Sequence, residues 1–248
     1  MLTPEEAAAE VLRRRQARQG LLAFTRYTFP GYRPAPHHNL IADTLDAVER
    51  GEKKRVMIFT APRHGKSELA SRRFPAYFLG RNPARNIIAA SYNSDFAADF
   101  GRDVRGIVAS QEYASLFNVS LSQDSKAANR WHTSERGMYV SVGVGAATTG
   151  RGAHVLSIDD VTKNREEADS ETIREKIWRW YTSTAYTRLE SDIDPADVLE
   201  DDWLWRDFTR DIDNGRAEPF EGAVIITMTR WHEDDLGGRL LRAQEEGG

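Results

Sequence analysis

The run Ala61-Pro62-Arg63-His64-Gly65-Lys66-Ser67 is where residue types and spacing first ask for chemistry. It follows an apolar stretch, Arg55–Thr60, and precedes a helix-compatible one. A tight loop between a strand and a helix turns backbone N–H groups and a helix N-terminus toward one point, an arrangement that suits phosphate. In that setting Gly65 permits close backbone approach, Lys66 reaches the β- and γ-phosphates, and Ser67 binds Mg2+. Pro62, Arg63 and His64 complete the loop, and a nucleotide phosphate with Mg2+ is the ligand these residues fit. The first position of the G-x-x-x-x-G-K-S pattern is Thr60 instead of glycine. The same residues also fit an ordinary strand-to-helix turn with a capping serine.

A second piece lies downstream. His154-Val-Leu-Ser-Ile-Asp159-Asp160 is an apolar strand ending in two acids. Parallel α/β sheets bind their ligands at the C-terminal ends of strands. Asp159 is therefore placed to hold Mg2+, directly or through water, and Asp160 to orient or deprotonate an attacking water. Alone, two adjacent aspartates read as a cap or turn; after Gly-Lys-Ser they read as the other half of one site. The histidines (His37, His38, His64, His132, His154 and His232) show no paired metal-ligand spacing, and there is no cysteine. No metal beyond nucleotide-bound Mg2+ is expected. Phe24, Tyr27, Phe29 and Tyr32 can stack on adenine or fill the core, and core is the commoner fate of aromatics; Trp178, Trp180 and Trp231 are read the same way.

The elements that must position these residues alternate along the chain. Strand-like runs occupy Arg55–Thr60, Asn86–Ser91, Met138–Val144, His154–Asp159 and Ala223–Thr229. Helix-like runs occupy His38–Arg50, Lys66–Phe74, Asp95–Ser110 and Asp169–Leu189. Such alternation predicts a mainly parallel sheet flanked by helices on both faces. In the last helical run Ile173, Ile177, Tyr181, Ala185 and Leu189 recur at every fourth position and should form one buried stripe. At the N-terminus, Thr3, Pro4 and Glu6 read as a capping box opening a helix. Ser191–Glu221 carries eleven acidic residues against three arginines, with Trp203, Trp205 and Phe208 among them, and reads as a packed excursion from the sheet, a short helix pair or a lid.

The 248 residues, 40% hydrophobic with a formal charge of -4, fit one large domain or two small ones and exclude disorder and fibrous repeats. Without cysteine, disulfides, thiolate zinc sites and cysteine nucleophiles are excluded together. The mild acidity argues against permanent residence on nucleic acid while allowing transient contact. The longest uncharged run, Gly137–Gly150, is too short to span a bilayer, and the N-terminus lacks the pattern of a signal peptide. A cytoplasmic location is expected.

Three runs, T-A-P-R-H-G-K-S, T-T-G-R-G-A-H-V-L-S-I-D-D-V-T-K-N-R-E-E-A-D-S and I-I-T-M-T-R-W-H-E-D-D-L-G-G-R-L, occur in that order and span most of His37–Leu241. Together they resemble the ATPase half of large terminase subunits, the DNA-packaging motors of tailed bacteriophages. The resemblance implies a P-loop NTPase of the additional-strand (ASCE) type that acts in the host cytoplasm. It implies a homo-oligomeric ring on the portal protein of an empty capsid, working with a small terminase subunit and driving double-stranded DNA inward. It also implies residue roles: Arg63 senses the γ-phosphate or couples it to lid motion, and Arg151 reaches a neighbouring subunit's site as an arginine finger. Thr227, Met228 and Thr229 form the coupling motif.

The domain reading is an N-terminal helical segment over 1–36 and an ATPase domain over 37–248 that contains the acidic excursion 191–221. The C-terminal nuclease domain usual in the family is expected to be absent, with no nuclease activity. Asp160 stands where many terminases carry glutamate, so Glu166 and Glu167 are rival bases if the following loop folds back. A helicase-like or other P-loop ATPase acting on nucleic acid, or a nucleotide-binding assembly module without turnover, are the alternatives.

Overall fold

The computed structural model describes residues 3–123, 127–146, 152–192 and 220–246. Six strands, β1 (Arg55–Phe59), β2 (Asn86–Ser91), β3 (Arg130–His132), β4 (Met138–Gly143), β5 (Val155–Asp159) and β6 (Ala223–Met228), form one sheet in the order β1-β6-β5-β2-β4-β3. All pairings are parallel except that of β3 with β4. Every residue of β5 and β6 is buried, as expected of central strands covered on both faces.

Strand alternation divides the apolar side chains between two cores. Val56, Ile58, Ile87, Val155 and Ile225 face one way, against Leu45, Val48, Phe74 and Phe78. Ile88, Leu156, Ile158, Val224 and Ile226 face the other, against Ile177, Trp180 and Leu236. The first face is covered by α1 (Pro4–Gln19), α2 (Leu21–Thr28), α3 (Pro36–Glu49), α4 (Phe74–Arg81), α5 (Ser94–Val108) and α6 (Gln111–Leu116). The second is covered by α8 (Glu171–Trp180) and α9 (Leu236–Glu245), with the short α7 (Arg165–Asp169) before them. The capping box forms as read: Glu6 N–H donates to Thr3 Oγ1 at 3.2 Å and Thr3 N–H to Glu6 Oε2 at 2.8 Å. Ala17, Leu21 and Phe24 are fully buried in the first core, so the N-terminal helices are packed onto the sheet assembly. Among the described residues no helix is long and apolar enough to cross a membrane.

Three local readings change. The helix after the loop starts at Lys66 but runs past Phe74 to Arg81, straight through Pro75. Proline lacks an N–H and its ring crowds the preceding turn. Here that turn, Glu68–Arg73, is π-helical, and the wider winding accommodates the proline. The run Asp169–Leu189 is interrupted: α7 ends at Asp169, α8 begins at Glu171, and a π-turn over Tyr181–Ala185 and a 3-10 turn over Tyr186–Arg188 follow. The stripe survives, with Ile177, Tyr181 and Ala185 buried and Ile173 and Leu189 packed beside them. A four-residue step on an α-helix overshoots one turn by about 40°, and the π-turn absorbs that drift. Finally, β3 has no counterpart in the sequence reading. It is held as an edge strand by Trp131, which is fully buried and stacked on Tyr139 at 5.1 Å.

Of the aromatics, Phe24 and Trp180 are core, Trp178 is half-buried, and Trp231 is 37% exposed, contrary to its reading as core. Trp203, Trp205, Phe208 and most of the acidic excursion lie outside the described residues. The neck of the excursion is described: Asp192 N–H donates to the Phe220 carbonyl at 2.9 Å and Phe220 N–H to Asp192 Oδ2 at 3.0 Å. His154, at the N-terminal end of β5, donates from Nε2 to Asp192 Oδ1 at 2.9 Å. The chain therefore leaves and rejoins the fold at the end of the sheet opposite Asp159.

Candidate functional site

Strand parity builds the site. The alternation that places Ile58, Val155 and Ile225 on the first face places Thr60, Asp159 and Thr227 there too, at the C-terminal ends of β1, β5 and β6. Asp159 and Thr227 are direct partners in the β5–β6 register. The helical run that begins at Lys66 packs on this face, so loop, acids and hydroxyls meet.

Lys66 is only 5% exposed, and its ammonium lies 2.8 Å from Asp160 Oδ2. It also donates to Thr229 Oγ1 at 3.3 Å. Asp160 Oδ1 in turn accepts the Thr229 N–H at 2.8 Å. The backbone of Asp160 sits at φ 42, a left-handed conformation that costs a residue with a Cβ of order 1 kcal/mol or more. Its surroundings fix it there: Asp160 N–H donates to the Thr227 carbonyl at 2.9 Å, and its own carbonyl accepts the Tyr92 N–H at 3.1 Å. Arg63, at φ 64, is the second strained residue of the site. Among the described residues its exposed guanidinium has no partner.

Asp159 is 2% exposed. Ser71 Oγ donates to its Oδ2 at 2.7 Å, and Oδ1 has no partner among the described residues. Burial pushes the carboxyl up to about 6; the hydroxyls of Ser71 and Ser67 and the Lys66 charge oppose the rise, and the Asp160 charge adds to it. Thr60 Oγ1 and Thr227 Oγ1 are buried and unpartnered in the same way. Buried polar atoms without partners are costly and uncommon. Their convergence at three adjacent strand ends fits a ligand that supplies both positive charge and hydrogen-bonding oxygens. A nucleotide phosphate with Mg2+ meets that description, with Ser67 and Asp159 as the side chains that would hold the ion. Among the described residues no group of three His, Cys, Asp or Glu side chains is placed to hold a metal unaided.

Of the residues singled out in the sequence, Lys66, Asp159, Asp160, Thr227 and Thr229 are brought together, with Gly65, Ser67 and the loop residues Pro62 and His64 beside them. Met228 points the other way, into the second core, where it packs near Gly237. Glu167 closes its own turn, accepting the Lys163 N–H at 2.8 Å, and Glu166 is exposed; neither has a described contact with Lys66 or Asp159. Arg151 lies outside the described residues. Ser71 was not legible as part of the site, although it is a hydroxyl one turn beyond Ser67. His37 and His38 show no metal-ligand spacing in the sequence, and both rings contact the loop.

Fold and site define a mainly parallel α/β protein whose polar residues converge at the C-terminal ends of adjacent strands. The family model described as terminase large subunit, T4likevirus-type, N-terminal, matches residues 57–218, and the chain belongs to this large terminase family. The large terminase of bacteriophage HK97 is a structural match at 10% identity and a TM-score of 0.44, covering 87% of this chain and 37% of that one. This chain thus spans well under half of the HK97 protein. No curated protein matches the sequence.

Proposed function

We propose that the chain is an Mg2+-dependent ATP hydrolase whose turnover drives double-stranded DNA into a procapsid. The observation that carries the reading is the convergence of Lys66, Asp159, Asp160 and Thr229 at the mouth of the loop 61–67. The strand order adds support, because β6 lies between β1, which feeds the loop, and β5, which ends in the acids. That is the order expected of an additional-strand P-loop ATPase.

The loop's N–H groups and the helix starting at Lys66 receive the phosphates. An incoming phosphate replaces the Asp160 carboxylate as counter-ion of Lys66. Asp160, released from that ion pair, is free to accept the proton of the attacking water as its oxygen bonds to the γ-phosphorus and the bond to the ADP leaving group breaks. Ser67 and Asp159 would hold Mg2+, which would supply charge neutralisation at the phosphate oxygens. Asp160 also holds the Thr229 N–H, so a change at the phosphate is felt directly by the segment after β6, which fits the coupling role of 227–229. Arg63 and Arg151 take the sensing and trans-acting roles that the family resemblance gives them. Residues 37–248 then form the ATPase domain of a ring that works with the portal protein and the small subunit in the host cytoplasm.

Phosphate release from Mg·ATP tests the reading. Lys66→Ala should abolish it. Hydrolysis by Lys66→Ala at the wild-type rate overturns the assignment of the site, and tight Mg·ATP binding without product would leave a nucleotide-binding assembly module.

A further inference from the structure

Two imidazoles from the start of α3 meet at one peptide of the phosphate loop. The His64 carbonyl accepts from His38 Nε2 at 2.9 Å and from His37 Nε2 at 3.0 Å. The tautomer of His38 follows from its other nitrogen, which accepts the Ala35 N–H at 2.8 Å. With Nδ1 an acceptor, the ring proton is on Nε2 and points at the loop. His38 is 9% exposed and packed between Tyr32, at 5.6 Å between ring centroids, and His37, at 4.0 Å. Its position is therefore set by its neighbours and not by the loop.

The chain has no cis peptide among the described residues. In a trans peptide the C=O and the next N–H point in opposite directions. Holding the His64 carbonyl against α3 therefore turns the Gly65 N–H away from α3. The same ring also fixes the residue type at 65. Gly65 has φ +78, and a Cβ there would lie 2.5 Å from His38 Nε2.

We infer that His37 and His38 are positioning residues: by clamping the His64 carbonyl they pre-orient the Gly65 N–H as a phosphate donor, and His38 carries the larger share. This rests on the reading of 61–67 as the phosphate loop and adds to it a control from 26 residues upstream. Neither histidine touches the nucleotide in this role.

The test uses the side chain's two donor positions. Glutamine places its amide nitrogen near the site of histidine Nε2, whereas asparagine reaches only the Nδ1 site. Mg·ATP affinity is measured by calorimetry on the full chain for wild type, His38→Gln, His38→Asn and His37→Ala, with the Gly65 amide resonance followed by NMR in nucleotide-free protein. Loss of one pre-oriented donor to phosphate should weaken binding about tenfold in His38→Asn. His38→Gln should stay within about twofold of wild type, and half-buried His37→Ala should lose about threefold, both being fractions of that same hydrogen-bond energy. The Gly65 resonance should move in His38→Asn and His37→Ala and return in His38→Gln. Equal affinity in all four proteins overturns the clamp and leaves the ATP reading standing. Absence of binding by wild type overturns both. If His38→Asn does not fold, an unchanged His37→Ala is sufficient to refute the clamp.

Discussion

Replacing Asp159 by asparagine should stabilise the nucleotide-free protein while destroying its turnover. Burial raises the Asp159 carboxyl from 3.8 to about 6. A carboxyl whose folded value lies above its unfolded value favours folding only while it is protonated. Its contribution is complete below about pH 4 and is lost as pH rises through about 6. Above that window the charge is held against burial at a cost of roughly 3 kcal/mol. Asparagine has the same shape, still accepts from Ser71, and never ionises. Its amide NH2 would take the position of the unpartnered Oδ1, and an unsatisfied donor returns part of the gain. The net is about 1 to 3 kcal/mol at pH 8, or roughly 2 to 12 °C in melting temperature for a domain of this size. Melting in EDTA at pH 5 and pH 8 measures it. Asp46, which accepts the Leu21 N–H and is also pushed by burial to about 6, titrates in the same window but is present in both proteins and cancels. A variant no more stable than wild type at pH 8, or a gap equal at pH 5 and pH 8, would refute the reasoning. Added Mg·ATP should reverse the order, because ligand binding stabilises only the protein that holds the ion.

Three further outcomes are expected. Asp160→Asn should lose phosphate release by at least about 100-fold, the scale of general-base loss, while Mg·ATP binding measured by calorimetry is retained. Trp131→Ala should destabilise by about 3–5 kcal/mol in urea denaturation, since it empties a fully buried site stacked on Tyr139. If Arg151 completes a neighbour's site, the rate per chain should climb with protein concentration and collapse in Arg151→Ala; a concentration-independent rate that survives the substitution would mean sites complete in cis, as in a helicase-like ATPase.

What the sequence made legible was what is local. Arg55–Phe59 followed by Gly65-Lys66-Ser67, and Val155–Asp159 followed by Asp160, carry their signal within a few residues, and the structure brings the two together. The central strands were legible because β-branched runs buried on both faces look the same in any parallel sheet. What stayed hidden depends on partners distant in the chain. Strand β3 is three residues long and exists because Trp131 finds Tyr139. The helix continues through Pro75 because the turn before it winds wide. Ser71, His37 and His38 are common residue types whose roles appear only when β5 and α3 are placed against the loop. The left-handed backbones of Arg63 and Asp160 leave no mark in composition.

The two ends of the sheet show why the site is where it is. At the N-terminal end Arg85, Asp192 and His154 satisfy one another: Arg85 pairs with Asp192 at 2.8 Å, and the His154 ring donates to the same carboxylate and accepts the Asn86 N–H. That network is closed and asks for nothing. At the C-terminal end Lys66 has Asp160 as its counter-ion, Asp160 is held in a strained backbone, and Thr60, Asp159 and Thr227 keep polar atoms without partners. The unpartnered atoms and the strained backbone cost stability, and one kind of ligand, an anion that pairs with Lys66 accompanied by a cation that pairs with Asp159, would satisfy the charges left open at this end. A protein selected for stability alone would have closed this end as it closed the other. On the proposed reading, the open end supplies the differential affinity that binding and hydrolysis of a nucleotide would draw on, and Asp160, joined to both Lys66 and Thr229, would pass that change to the rest of the fold.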